Sequence, residues 1–243
     1  GVCGVVDGSV LPEHYGVEAG QSAVGDIFLW FVNHLVPDSY GATQDEKFIE
    51  MERQLSGAKP GAPGLLALHW SYGSRTILTD VRLRGLLLGQ TFHTEAHEIY
   101  RALIEATAFG ALTIINRMEE YGISISEVVN TGGLAVKNAT LMQISADILQ
   151  RPLKVAASDQ TCALGAAIFG AASGGNISIS EVQENCCQIR EVEYHPIESN
   201  VEVYKELYAL YKTLHDAFGT EEWNGSLGHI MKELIALREK QRG

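Results

Sequence analysis

The chain has 243 residues, 46% hydrophobic and 20% charged, with a formal net charge of -12, which is enough to bury a sizeable core in one large domain or two small ones. The acidic balance lacks the clustered Lys and Arg that nucleic acid or an anionic membrane would require, and no apolar run reaches the roughly 18 residues of a membrane span. The four cysteines, Cys3, Cys162, Cys186 and Cys187, contain no C-x-x-C spacing, which points away from a zinc site or disulfide framework and toward a reducing cytoplasm. The chain opens at Gly1 without a methionine, in residues that already read as strand, so a piece of a longer protein is expected. Short apolar runs flank Asp7-Gly8, a dipeptide suited to a type I′ turn, and predict an antiparallel hairpin; Asp7-Gly8-Ser9 is read as that turn and not as a phosphate loop. Val24, Ile27, Phe28, Phe31, Val32 and Leu35 then make one stripe of a helix, and residues 43–55 make a second, more polar one that ends in "GAKPGAPG". "LLALHW" reads as a buried strand, "SYGSRT" as a loop and "VRLRGLLLG" as a strand or extended segment.

A long helix is predicted over about 94–121, with Ile99, Leu103, Ala106, Gly110, Thr113 and Ile114 inward and Gly122 ending it. "VVNTGGLAVKN" follows: an apolar run stops at Gly132-Gly133, and a helix resumes at Asn138, a good N-cap, with Leu141, Ile144, Ser145, Ile148 and Leu149 on one face. Taken alone, the paired glycines read equally well as a plain turn or as a close backbone approach to a ligand near a helix start. "PLKVA" is a short strand. "SDQTCALGAAIFGAASGG" is a helix whose face of Ala163, Ala167, Gly170 and Ala171 lets a neighbouring element or a ligand come close. From about residue 198 the chain is helical, with Val201, Tyr204, Leu207, Tyr208 and Tyr211 on one stripe, and these C-terminal helices are expected to pack outside the core. Strands alternating with helices after a hairpin indicate an α/β domain on a mixed sheet.

There is no G-x-G-x-x-G and no G-x-x-x-x-G-K-[ST], so neither a dinucleotide fold nor a P-loop is indicated. His93 and His97 lack the H-E-x-x-H order and a third ligand, and no metal site is assigned. Glu18 stands at a strand end before a helix, where such sheets present side chains to ligands, although a solvated carboxylate fits as well.

Together, "VDGSV…GVEAGQSAVGDIFLWF", "HWSYGSRT", "NTGGLAVKNATLMQISADILQRPLKV" and "ASDQTCALGAAIFGAA" resemble the C-terminal half of FGGY-family carbohydrate kinases, and within it the branch that phosphorylates L-ribulose. The resemblance runs in order to about Ala172 and continues more weakly through "YKELYALYKTL". It implies an actin-like ATPase (RNase H-like) domain, with a mixed sheet flanked by helices over about 1–175 and additional helices over about 198–243. It further implies ATP and Mg²⁺ in the full-length enzyme, with a sugar as the other substrate. Gly132, Gly133 and Asn138 match positions of the nucleotide pocket, Gly25 matches another glycine near it, and Glu18 matches an acidic residue that reaches sugar hydroxyls. The small-residue helix would pack behind that pocket.

The D-x-G-T phosphate loop and the segment with the catalytic aspartate are absent, so no catalytic residue is assigned and the base is expected in an N-terminal actin-like domain of the parent chain. Ser71-Tyr72 also departs from the aromatic-Asn pair found in that branch, while Trp70, Gly73 and Arg75 fit. The isolated chain is expected to be inactive, and to associate with copies of itself where the missing domain leaves apolar cleft surface open. A kinase for another ketose or polyol, such as xylulose or ribitol, and a noncatalytic actin-like binding module are the alternatives.

Overall fold

A computed structural model describes residues 4–242, so Cys3 and the very start of the predicted opening strand lie outside the described residues. The hairpin is present: β1 (Gly4–Asp7) pairs antiparallel with β2 (Tyr15–Glu18), from Gly4↔Glu18 to Asp7↔Tyr15. Its turn is not the tight one expected at Asp7-Gly8. Gly8 does take a left-handed φ of 66°, but its N–H donates to the His14 carbonyl at 2.9 Å, so residues 8–14 form a wide loop. Pro12 lies in that stretch and has no N–H to give to a ladder, which removes the option of pairing closer to the glycine.

Helix α1 (Gly25–Leu35) buries Ile27, Phe28, Phe31 and Val32 as the stripe predicts, while Leu35 at its end is exposed. Helix α2 (Gln44–Leu55) starts with a capping box, in which Thr43 Oγ1 accepts from the Glu46 N–H and the Glu46 carboxylate accepts from the Thr43 N–H. Strand β3 (Leu66–Leu68) is fully buried and pairs antiparallel with β4 (Leu86–Leu88).

The 25-residue helix α3 (Ala96–Glu120) is the axis of the molecule, buried on every side from Tyr100 to Gly110. It ends as predicted. Gly122 has φ 82°, its N–H donates to the Glu119 carbonyl, and the Ile123 N–H reaches back to Met118, the paired bonds of a Schellman motif. Strand β5 (Val129–Asn130) leads through the glycines into α4 (Gly133–Lys137) and α5 (Ala139–Leu149). Strand β6 (Leu153–Ala156) runs parallel to β5 and antiparallel to a later β7 (Ile189–Tyr194), with α6 (Thr161–Ala172) and α7 (Ile179–Cys186) between them. The mixed sheet is therefore β5-β6-β7, and β1-β2 and β3-β4 stand as separate antiparallel pairs.

The C-terminal helices are not peripheral. Helix α8 (Glu198–Gly219) packs on α3, α5 and β3, and its Tyr204, Leu207 and Tyr211 belong to the same core as Phe28, Tyr100 and Phe109; α9 (Ile230–Arg242) adds Ile230, Leu234 and Leu237. The physical reason is a buried polar cluster that joins α8 to α3. Arg101 donates to Glu105 at 2.7 Å, to the Tyr204 hydroxyl at 2.8 Å and to the Ala58 carbonyl at 2.9 Å, and the Tyr204 hydroxyl donates to Glu105 at 3.0 Å. With every charge paired, a helix carrying tyrosines can sit inside. No helix among the described residues is long and apolar enough to cross a membrane.

Candidate functional site

Three of the glycines singled out in the sequence converge. Gly132 adopts φ 88° as the N-cap of α4, and Gly133 is that helix's first residue. Gly25 is the first residue of α1, and a Cβ placed on it would lie 3.3 Å from Leu134 Cδ1, so the starts of α1 and α4 are in van der Waals reach. A Cβ on Gly132 or Gly133 would meet nothing within 4 Å, which leaves open space in front of this pair of helix starts. First-turn N–H groups have no partner within their own helix, so such a meeting point presents donors to whatever occupies that space.

The helix expected to resume at Asn138 resumes earlier, because residues 133–137 wind into the short α4. Asn138 is then the junction of two helices, 3% exposed. Its Oδ1 accepts from the Leu141 N–H at 2.7 Å, capping α5, and its Nδ2 donates to the Tyr100 hydroxyl at 3.2 Å. Burial pushes the Tyr100 phenol above its ordinary range, so it stays protonated. The side chain of Asn138 thus fixes the α4–α5 corner to the central helix. The small-residue face of α6 is expected to admit a neighbouring element or a ligand; no element among the described residues covers it, since Ala163, Ala167, Gly170 and Ala171 are exposed and only Ile168 of the helix is buried. A Cβ on Gly165 or Gly170 would meet nothing within 4 Å.

Glu18 is placed elsewhere, at the end of β2, where its Oε1 accepts from Arg75 at 2.7 Å. Two residues on, the Gly20 N–H donates to Thr76 Oγ1 at 2.8 Å, and Gln21 Nε2 donates to the Thr107 carbonyl at 2.9 Å. The "EAGQ" and "GSRT" segments are therefore joined side by side. They border a cleft of about 590 Å³ lined by Gln21, Ser22, Ser71, Tyr72, Arg75 and Arg84, together with Val81. Beneath it, Trp70 is buried edge-on to His215 at 5.3 Å, and the Tyr211 hydroxyl lies 3.5 Å from His69 Nδ1. Burial, and then the neighbouring His215, lower the His69 pKa to about 4; burial also lowers that of His215 despite its contact with Asp216. Both imidazoles are neutral near pH 7, which suits a packed floor under the loop. Gly110 makes that floor possible, since a Cβ there would lie 2.2 Å from His69 Cε1.

His97 Nδ1 lies 3.1 Å from the Tyr40 hydroxyl and His93 is exposed; among the described residues no group of three or more His, Cys, Asp or Glu could hold a metal ion. Arg75, which the sequence resemblance marks only as fitting the family pattern, is the residue that meets Glu18. Its partner is 57 residues away, so no local pattern could announce the pair.

Comparisons with known proteins bear on this arrangement. Residues 1–174 match the family model "FGGY family of carbohydrate kinases, C-terminal domain". The chain is 44% identical to a ribulokinase of Anoxybacillus flavithermus, across 100% of its own length and 44% of that protein's, and 45% identical to a ribulokinase of Halalkalibacterium halodurans, across 99% and 44%. It thus spans less than half the length of the curated relatives it matches. In shape it is similar to a xylulose kinase from Rhodospirillum rubrum, with a TM-score of 0.72 and 25% identity over 86% of this chain and 42% of that one. A glycerol kinase from Plasmodium falciparum, solved with ADP, gives a TM-score of 0.67 at 20% identity over 85% and 39%, a likeness of fold. The fold of these sugar kinases is the actin-like one.

Proposed function

The chain belongs to the FGGY family of carbohydrate kinases, and we propose that it is the nucleotide-holding, C-terminal half of an enzyme that phosphorylates a hydroxyl of a ketopentose, L-ribulose before others. The names of its relatives support the choice of sugar. The observation that supports the nucleotide assignment is the approach of Gly25 to Leu134, the residue after the Gly132-Gly133 turn, with open space in front of the two turn glycines. ATP supplies the phosphoryl group, and the transfer depends on positioning and charge stabilisation more than on covalent chemistry. In this reading Gly132, Gly133 and Gly25 let backbone approach the nucleotide, and Asn138 holds the α4–α5 corner that carries two of them. Glu18 accepts from hydroxyls of the sugar.

The resemblance also implies Mg²⁺, for which the described residues offer no set of three or more ligating side chains. None of this chain's residues is assigned to it. The base that takes the proton of the attacking hydroxyl belongs to the parent's N-terminal actin-like domain, which closes over the acceptor and excludes water. Without that domain, exposed apolar residues such as Leu134 and Phe169 favour association between copies of the chain. Exposed free thiols at Cys162, Cys186 and Cys187 support a reducing, cytoplasmic setting.

The test is ATP-dependent phosphorylation by the full-length parent across L-ribulose, xylulose and ribitol, beside the 243-residue chain alone. The reading expects L-ribulose to have the highest kcat/KM with the parent, and no transfer by the chain alone. A parent that transfers to no sugar, or a chain that works unaided, would overturn it.

A further inference from the structure

We propose that Arg75 is a positioning residue for Glu18, presented by a strained loop built to hold it; the inference rests on the reading of Glu18 as a contact to acceptor hydroxyls. The loop runs from Gly73 to Val81. Ser74 and Asp80 exchange both backbone hydrogen bonds at 2.9 Å, closing it at its neck. Gly73 has φ 80° and lies so close under Val81 that a Cβ would sit 2.5 Å from the Val81 Cα. Within the loop, Ile77 has φ 77° and Thr79 has φ 57°, a left-handed conformation that β-branched residues rarely adopt. Such backbone persists only where the surroundings over-determine it, and it concentrates at sites of function.

The surroundings here do so from several sides. Ser74 Oγ donates to the Thr76 carbonyl at 3.3 Å, Thr76 Oγ1 takes the Gly20 N–H, and Asp80 accepts from both the backbone and the guanidinium of Arg82. Trp70, at the loop's root, is buried against His215.

Arg75 leaves this fixed frame and crosses to Glu18. Its side chain is 57% exposed and that of Glu18 is 67% exposed. An ion pair so exposed adds little to stability, so its presence is not explained by folding alone. What the pair does is orient. Arg75, which lines the cleft, occupies Oε1 of the carboxylate and restrains the side chain, and Oε2 is left to accept from a hydroxyl donor. The ligand class is a neutral polyhydroxy compound, a sugar or polyol.

The test uses the full-length parent with L-ribulose and ATP. Arg75→Ala should raise the KM for the sugar about tenfold while the KM for ATP stays within about twofold, the size of one lost orienting contact to a charged group. Arg75→Lys should recover most of that loss, because a single N–H···O bond is involved. Glu18→Gln alone and Glu18→Gln with Arg75→Ala should cost the same, since both remove one unit. Unchanged sugar KM, equal effects on both substrates, or additive losses would overturn the proposal.

A parent that phosphorylates no sugar would instead overturn the functional reading, and a second measurement then decides. In the 243-residue chain, side-chain relaxation at the Glu18 carboxyl carbon should show an ordered group that Arg75→Ala sets free and Arg84→Ala does not. A Glu18 side chain equally mobile with and without Arg75 would sink the positioning role.

Discussion

Replacing Asn138 by Ala tests how the candidate nucleotide corner is held. The substitution removes an acceptor 2.7 Å from the Leu141 N–H and a donor 3.2 Å from the Tyr100 hydroxyl, both in a buried setting. Losing the cap costs about 1 kcal/mol, and leaving the fully buried Tyr100 hydroxyl without its donor costs about 1 kcal/mol more. The small void adds a further fraction, for a total of about 2–3 kcal/mol. Asn138→Asp separates these contributions, because it keeps the acceptor for Leu141 and lets the Tyr100 hydroxyl turn to donate, so it should cost less than Ala. Urea unfolding followed by circular dichroism at pH 7 would read both variants at unchanged m-value. A loss below about 0.5 kcal/mol for Ala, or an Asp variant at least as damaged, would refute the account of Asn138 as the fastener of α4 and α5.

Two other outcomes follow from the buried polar groups. Tyr204→Phe removes a hydroxyl that accepts from Arg101 and donates to Glu105, leaving buried charge under-paired, and should lower unfolding stability by about 2–4 kcal/mol; a loss near zero in the same urea assay would contradict the clamp. Stability should also fall on mild acidification. His69 titrates near 4 when folded and near 6.5 when not, so the unfolded chain binds the proton first. Its contribution is complete above about pH 6.5 and is lost toward pH 4 at up to about 1.4 kcal/mol per unit. His215, facing His69 with Lys212 and Asp216 beside it, acts in the same direction. Carboxylates held low, such as Asp80 at about 2, add only below their ordinary values of 3.8 to 4.5. A urea midpoint that does not change between pH 7 and 5 would exclude the histidine floor.

Most helices were legible because their stripes face a single core. The Ile27–Val32 face of α1 and the Gly122 stop of α3 needed only local spacing and the left-handed freedom of glycine. Elements without a period were missed. Strand β7 is exposed along nearly its whole length, so no alternation marks "IREVEY", and α4 is too short to show a stripe. Helix α7 could have been found from Ser178 and Glu181, since the Ser178 hydroxyl caps the Glu181 N–H. The position of α8 was misjudged because its tyrosines look amphipathic in isolation; their partners Arg101, Glu105 and His69 lie about a hundred residues or more upstream. The site divides in the same way. The glycines are visible one by one, while the approach of Gly25 to Leu134 and the reach of Arg75 to Glu18 exist only after folding.

The most direct test of the central claim is an amide NMR titration of the 243-residue chain with ADP, run beside Gly133→Asp. That variant places its Cβ in open space and starts a helix with an acidic residue, so it should fold while opposing a phosphate. The account predicts weak, saturable shifts centred on Gly25, Gly132, Gly133 and Leu134 that the variant loses. Shifts centred elsewhere, or a folded variant that binds ADP as the original chain does, would contradict it.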